Sequence, residues 1–126
     1  MLKGKTILLV DDDDRNILAL AAILKSLGIV ILTARDGREC LDKIEQSPEI
    51  CLVLLDMMMP VMDGFETLKR LRSDKATQSM PVIALTALAM PGDRERCLNA
   101  GANAYLRKPF NLRMLRDAVR LQLLAR

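Results

Sequence analysis

The sequence predicts an α/β fold in which five parallel strands alternate with five helices. Five short runs rich in Val, Ile and Leu recur along the chain, and segments with helical spacing of apolar residues separate them. The runs are nearly continuous in apolar residues, which is typical of strands buried on both faces. Such an alternation requires right-handed crossovers, and therefore a parallel sheet with helices on both faces.

The predicted elements follow in order along the chain. The strand runs are KTILLV, IVILTA, CLVLLD, PVIALT and the weaker AYL. Apolar stripes mark the first and last helices, at Ile17, Leu20, Leu24 and Leu27, and at Leu112, Leu115, Val119 and Leu123. Capping pairs are predicted to start the second and third helices, at Asp36 with Glu39 and at Asp63 with Glu66. Boundary signals for the remaining helices are Gly28, Pro91, Gly101 and Asn111.

Composition limits the class of protein. A chain of 126 residues with 51% apolar and 28% charged residues is typical of one soluble globular domain. No apolar run is long enough to span a membrane, and the first residues lead directly into a strand. We therefore expect a cytoplasmic protein that has no membrane partner.

Histidine is absent, and three cysteines are widely separated. The first fact excludes His-based general base catalysis, Ser/His or Cys/His nucleophilic sites, and most zinc sites. The second argues against a disulfide framework. Cys51, in an apolar run, is interpreted as a core residue.

The net charge of +3 is unevenly distributed. Residues 1–85 contain 11 basic and 13 acidic side chains, whereas residues 86–126 contain 8 basic and 3 acidic ones. A basic carboxyl-terminal part suits an acidic partner or nucleic acid. A solvated helix face is the simpler interpretation, because so few aromatic residues cannot form a base-stacking surface. No direct nucleic-acid partner is expected.

The carboxyl ends of four predicted strands carry groups that are useful in chemistry. Asp11 and Asp12 end the first strand, Asp56 the third and Thr86 the fourth, and Lys108 lies just beyond the fifth. Ligands of open parallel sheets bind at this edge. Each of these residues alone has an ordinary structural explanation, but their joint arrangement favours a functional site. Asp13 and Asp14 are interpreted instead as a helix cap or solvated loop residues. The methionines around Asp56 are interpreted as packing residues, because methionine fills irregular gaps; they are Met57, Met58, Met59 and Met62.

Three clustered carboxylates repel one another and favour a bound cation. Oxygen ligands on one edge, with room for water, suit Mg²⁺ better than a transition metal. A divalent ion and a lysine would together attract a phosphoryl group. The G-x-x-x-x-G-K-[ST] phosphate loop is absent from the sequence, so no nucleotide cradle is predicted. A carboxylate can itself be the nucleophile, and Asp56 is the candidate because a stiff strand holds it.

Four segments together resemble the receiver domain of two-component response regulators over essentially the whole chain. They are LLVDDDDRN, LLDMMMPVMDG, PVIALTA and AGANAYLRKPF. The resemblance implies a flavodoxin-like, three-layer (βα)₅ sandwich whose sheet has the order 2-1-3-4-5, and a single receiver domain over residues 1–126. It also implies that Asp56 is the phosphoacceptor. Asp12 and Asp56 would bind Mg²⁺ directly, Asp11 largely through water, and Met58 through its backbone carbonyl.

The resemblance also assigns roles on the last two strands. Lys108 would pair with the acid or its phosphate, and its bond to Pro109 is expected to be cis. Thr86 and Tyr105 would form the switch pair, in which Thr86 moves toward the phosphoryl group and Tyr105 swings inward.

The implied activity is phosphoryl transfer from a phosphohistidine of a histidine kinase or histidine phosphotransfer domain. The chain would be a signalling domain that assists its own phosphorylation, and not a classical enzyme. Its output would be a change in the face made by helix 4, strand 5 and helix 5, read by a downstream protein or by a kinase in the same chain. A monomer or weak dimer is expected, and a free-standing regulator and a module of a hybrid sensor kinase both remain open. We hypothesise that Arg113, Arg116 and Arg120 select the partner; their neutralisation without loss of partner binding would contradict this.

One departure from the family concerns the lifetime of the phosphate. Met58 and Leu88 are apolar at positions where fast members place polar side chains that orient water. A slow loss of phosphate is therefore predicted.

The main alternative is a receiver-fold interaction module that signals without phosphorylation, although the complete acid, Thr and Lys set argues against it. A hydrolase with an aspartyl intermediate is disfavoured because the paired DxD arrangement is absent at Asp56.

Overall fold

The computed structural model describes residues 2–59, 61–87 and 91–124. Strands and helices alternate strictly through this part of the chain, as predicted. In order they are β1 (Thr6–Val10), α1 (Asp14–Ser26), β2 (Val30–Ala34), α2 (Gly37–Gln46), β3 (Ile50–Asp56), α3 (Gly64–Ser73), β4 (Val82–Thr86), α4 (Asp93–Asn99), β5 (Ala104–Arg107) and α5 (Leu112–Leu124).

The five strands form one parallel sheet in the order β2-β1-β3-β4-β5, which confirms the predicted topology. The prediction that strands are buried on both faces holds for β1 and β4 and nearly throughout β3. It is wrong for β2 and β5, since an edge strand has a neighbour on one side only. Cys51 is only half-buried, and its Sγ donates to the carbonyl of Thr6 at 3.2 Å.

Helices cover both faces of the sheet, and each face has its own apolar cluster. One cluster joins α1 and α5 to the sheet through residues such as Leu24 and Val119. The other joins α2, α3 and α4 to the opposite face through residues such as Ile44, Leu71 and Cys97. Each fully buried Leu or Ile side chain contributes about 1.5–3 kcal/mol through removal from water. The two clusters therefore hold the carboxyl ends of β1, β3 and β4 in a fixed arrangement.

Acidic caps start the first three helices. Asp13, Asp36 and Asp63 each accept a first-turn backbone N–H at 2.9 Å. This confirms Asp13 as a cap. The expected reciprocal bonds differ, because Glu39 accepts from the N–H of Arg35, one residue before the cap, and Glu66 accepts from the side chain of Arg70.

The boundaries of the other helices agree with the sequence apart from one proline. Gly28 and Gly101 have φ values of 82° and 118° and follow the ends of α1 and α4, and Asn111 caps α5 by accepting from the Met114 N–H at 2.9 Å. Pro91 lies before Gly92, the cap of α4, and not in its first turn.

An arginine connects α3 to the amino end of the sheet, opposite the strand ends that carry the polar residues. Arg72 donates to the Gly101 carbonyl at 3.0 and 2.8 Å, and to the Asn103 side-chain carbonyl at 2.9 Å. It also donates to the carbonyls of Gln78 and Thr77, at 3.1 and 3.4 Å. One side chain thus ties together α3, the lead-in to β4 and the turn between α4 and β5. No helix in the described ranges has the length and apolarity needed to cross a membrane.

Candidate functional site

Three carboxylates converge at the carboxyl edge of the sheet. β1 and β3 are neighbours, with Val10 opposite Leu55, so the residues that follow them lie side by side. Asp11, Asp12 and Asp56 each present an oxygen, and these three oxygens lie within 4.8 Å of one another. Asp11 and Asp56 are buried, whereas Asp12 is exposed. The topology thus brings together the three acids that the sequence singled out.

Backbone amides and one lysine fix these carboxylates. The N–H of Asp13 donates to Asp11 at 2.9 Å, and the N–H of Met58 donates to Asp56 at 3.1 Å. Lys108 Nζ lies 3.4 Å from Asp11 Oδ2 and forms an ion pair with it. Lys108 was expected to pair with the phosphoacceptor or its phosphate, so its ion pair with Asp11 is a finding that the sequence did not provide. The Lys108–Pro109 bond is cis, as expected.

The electrostatics of Asp56 reflect its crowded surroundings. The pKa of Asp56 is raised from 3.8 to about 6, mainly by burial, and the charges of Asp11 and Asp12 act in the same direction. The Met58 N–H and the Lys108 ammonium act in the opposite direction. Since ionised Asp56 is disfavoured in this setting, a cation placed among the three acids would stabilise its charged form.

The donor set fits Mg²⁺. Its donors are carboxylate oxygens from two neighbouring strands, with the exposed Asp12 at the side open to water. Hard oxygen ligands and retained waters are what Mg²⁺ prefers. In the described residues the cluster contains no nitrogen or sulfur ligand, which disfavours zinc and the softer metals.

Thr86 and Tyr105 share one face of the sheet. Ala84 is the register partner of Tyr105, and side chains two residues apart on a strand point to the same face. Tyr105 is partly buried against the cluster shared with α2, α3 and α4. Thr86 is almost fully buried at the end of β4, and its carbonyl accepts from the Lys108 N–H at 2.8 Å. The two predicted switch residues are therefore placed on the same side of the sheet.

The methionines near the acid divide into two groups. Met57 and Met59 are buried and Met62 is half-buried, in line with the predicted packing role. Met58 is 56% exposed, so for this residue the prediction of packing is wrong. Its side chain points away from the core because β3 has ended and the backbone N–H turns toward Asp56.

Val61 is strained, and its replacement with glycine is expected to stabilise the protein. Its φ is 67°, in the left-handed region that β-branched residues rarely adopt, and its side chain is 87% exposed. Glycine at this position would remove about 1–2 kcal/mol of backbone strain from the folded state. It would also increase the conformational entropy of the unfolded chain, which lowers stability by only about 0.4–1 kcal/mol. Urea denaturation should show a net gain of about 0.5–1 kcal/mol. Val61→Ala, which keeps a Cβ, should gain less; equal gains would contradict the strain argument.

Comparisons with known proteins agree with this geometry. The profile of the response regulator receiver domain family matches residues 7–120. The transcriptional regulatory protein CpxR of Escherichia coli is 45% identical over 114 residues, which are 90% of this chain and 47% of CpxR. The chain thus spans about half the length of that relative.

Solved structures give the same result. A response regulator from Chloroflexus aurantiacus has a TM-score of 0.92 at 34% identity, covering 98% of this chain and 100% of that one. The receiver domain of the sensor histidine kinase PA1611 from Pseudomonas aeruginosa, solved with a magnesium ion coordinated in its active site cleft, has a TM-score of 0.87 at 37% identity. That match covers 94% of this chain and 97% of the other.

The chain belongs to the response regulator receiver domain family. It is a receiver domain of two-component systems, and therefore a signalling domain rather than a classical enzyme.

Proposed function

We propose that Asp56 accepts a phosphoryl group from a partner's phosphohistidine. The observation that carries this proposal is the convergence of Asp11, Asp12 and Asp56 within 4.8 Å, beside the ammonium of Lys108. The Met58 N–H restrains the Asp56 carboxylate, and β3 holds it at the edge of the sheet. Phosphoryl transfer requires a restrained nucleophile and positive charge beside it, because catalysis there is mainly positioning and charge neutralisation. The three carboxylates would supply that charge by holding a cation, and Lys108 adds its ammonium.

Mg²⁺ is the proposed cofactor. Asp12 and Asp56 would bind it directly, Asp11 largely through water, and Met58 through its backbone carbonyl. Bound Mg²⁺ would neutralise the developing charge on the phosphoryl oxygens. Lys108, which pairs with Asp11, would supply a second positive charge to the same oxygens. In this way the domain would assist its own phosphorylation.

The proposed output is a change of the face formed by α4, β5 and α5. Thr86 would move to donate to the phosphoryl group, and Tyr105, on the same side of the sheet, would follow it inward. Arg113 and Arg120 are exposed and Arg116 is half-buried on α5, which supports the hypothesis that this basic stretch contributes to the choice of partner. A two-state shift of this kind needs only a differential contact in the phosphorylated state.

Receiver domains work with histidine kinases or phosphotransfer proteins, and we propose such a partner here. The downstream reader would be a separate protein or a kinase in the same chain. We further propose one receiver domain over residues 1–126, since both apolar clusters belong to a single sheet. We also propose that it acts in the cytoplasm, as a monomer or weak dimer without membrane contact. That this domain does not itself contact nucleic acid stays a prediction, because CpxR is a transcriptional regulatory protein.

The decisive experiment is intact mass after incubation with acetyl phosphate, with and without Mg²⁺. The protein is expected to gain one phosphoryl group only when Mg²⁺ is present, and Asp56→Asn is expected to gain none. A parallel reaction with a known receiver domain checks the phosphodonor. Absence of an adduct in that setting would favour the alternative, an interaction module that signals without phosphorylation. No feature of the described residues favours that alternative.

Met58→Asn is expected to shorten the lifetime of the phosphoryl group by about threefold or more, because a polar side chain beside Asp56 would orient the attacking water. Met58 is exposed, so the change should leave stability nearly unaltered. Loss of the added mass over time, with Met58→Leu as the matched apolar control, measures the effect. Equal lifetimes for the two variants would contradict it. Leu88, the second apolar position that is predicted to slow the loss of phosphate, lies outside the described residues.

A further inference from the structure

We propose that Gly64 is a positioning residue for the metal site, because its missing side chain allows α3 to lie directly on the backbone of Met57. The inference rests on the proposed function, since Met57 joins the proposed phosphoacceptor, Asp56, to the residue whose carbonyl would bind Mg²⁺, Met58. Gly64 would touch neither the ion nor the phosphoryl group. It would act by fixing the backbone that presents both ligands.

The contact between α3 and Met57 is unusually close. A Cβ built on Gly64 would lie 2.6 Å from the Cα of Met57 and 3.1 Å from the carbonyl oxygen of Asp56. The N–H of Gly64 donates to the Met57 carbonyl at 3.2 Å. The start of the helix therefore lies against the backbone, and the backbone cannot move aside as the end of a flexible side chain would.

Backbone conformation does not explain the glycine. Positive φ values at described glycines occur at Gly4, Gly28, Gly92 and Gly101, and Gly64 is the first residue of a helix. At such a position alanine normally stabilises a helix relative to glycine. Close approach to Met57 is what remains to account for glycine here.

Met57 is held from two sides. Its N–H donates to the Leu85 carbonyl of β4 at 3.0 Å, its carbonyl accepts from Gly64, and its side chain is buried. Any shift of Met57 is transmitted to its two neighbours through planar peptide bonds. A Cβ at Gly64 would displace Met57, and with it the relative placement of the Asp56 carboxylate and the Met58 carbonyl.

Comparing the affinities for Mg²⁺ and Ca²⁺ separates a displacement of the ligands from a general loss of stability. Mg²⁺ requires near-ideal octahedral geometry at short distances, whereas Ca²⁺ accepts longer and less regular coordination. A displaced carbonyl should therefore weaken Mg²⁺ binding more than Ca²⁺ binding. A general loss of stability would not change the ratio of the two affinities in the folded protein.

The test is calorimetric titration of MgCl₂ and of CaCl₂ into the wild type, Gly64→Ala and Gly101→Ala. Gly101 is the control because its φ of 118° and its contact with Arg72 make alanine destabilising there, and it lies in the turn between α4 and β5, at the opposite edge of the sheet. Gly64→Ala is expected to raise the Kd for Mg²⁺ at least about fivefold and the Kd for Ca²⁺ less. Gly101→Ala should be less stable, with both Kd values unchanged.

The inference would be overturned if Gly64→Ala bound Mg²⁺ with the Kd of the wild type, or if the substitution weakened the binding of Mg²⁺ and of Ca²⁺ equally. If Gly64→Ala is unfolded in buffer, all three proteins are titrated in trimethylamine N-oxide, which favours the folded state. A wild type that fails to bind Mg²⁺ would overturn the proposed function and this inference with it. A wild type that binds Mg²⁺ normally beside an unaffected Gly64→Ala would overturn the inference alone.

Discussion

Replacing Arg72 with methionine is expected to lower the free energy of unfolding by about 2–3 kcal/mol. The guanidinium donates to three backbone carbonyls and to the side chain of Asn103, and no carboxylate is among these acceptors. Methionine keeps much of the apolar contact but leaves the Gly101 carbonyl, which accepts two of the bonds, without them. An acceptor left unsatisfied in a partly buried place costs more than an average hydrogen bond contributes.

The matched control is Arg70→Met on the same helix. Arg70 is half-exposed and pairs with Glu66 at 3.0 Å, so its replacement should cost no more than about 1 kcal/mol. Urea denaturation of both variants measures the difference. Arg72→Lys should lie between them, since a lysine retains the charge without the planar set of five donors. Equal losses for the Arg70 and Arg72 methionine variants would show that the bonds to Gly101 add nothing.

Asp56→Asn is expected to stabilise the metal-free protein by about 1–2 kcal/mol near pH 7.5, while abolishing stabilisation by Mg²⁺. A pKa of about 6 in place of 3.8 means that the folded state disfavours the ionised carboxylate. The full difference between the two pKa values corresponds to about 3 kcal/mol of stability, and the expected effect is smaller because solvent at the open side of the site screens the charges. Asparagine removes the repulsion from Asp11 and Asp12 and can still accept from the Met58 N–H.

The pH dependence gives the sign of this effect. Ionised Asp56 destabilises the folded protein in full above its folded-state pKa of about 6. This destabilisation declines as the pH falls and vanishes below the ordinary pKa of 3.8. Wild type should therefore approach the stability of Asp56→Asn as the pH falls from about 7 to about 4. Asp42→Asn serves as the control, because Asp42 is exposed and its nearest arginine nitrogen is 4.0 Å away. A gain for Asp56→Asn that persists unchanged near pH 4 would refute the electrostatic explanation.

Much of the fold was predictable because the determining signals are local. Apolar runs of strand length, the stripe through Leu20 and Leu24, and the caps Asp13, Asp36 and Asp63 all act within a few residues. The site was predictable for a topological reason, since parallel strands bring their carboxyl ends to one edge and so unite Asp11 with Asp56. Edge effects were not predictable from the runs alone, which is why the burial of β2 was overestimated.

Long-range contacts to backbone atoms account for what the sequence did not reveal. The acceptors of Arg72 are mainly carbonyl groups, which every residue has, so no sequence pattern identifies them. Lys108 reaches Asp11 across the sheet, and the position of its ammonium depends on where β5 ends. Gly64 had a partial signal, since a glycine is a poor first helical residue, but its contact with Met57 appears only once α3 is packed on the strand end.

Because α4 is anchored at Gly101, a rotation of this helix would pivot about its carboxyl end. Arg72 donates to the carbonyl of Gly101 in the turn that follows the helix. The guanidinium carbon of Arg96, in the last turn of α4, lies 4.7 Å from the ring centre of Phe65 on α3. At the other end the cap is Gly92, which has no side chain with which to hold the first turn. Seven residues give an arm of about 10 Å, so a rotation of only about 10° about Gly101 would displace Gly92 by about 2 Å. A small rearrangement near Tyr105 would thus be enlarged at the amino end of α4, on the face that is proposed to change on phosphorylation.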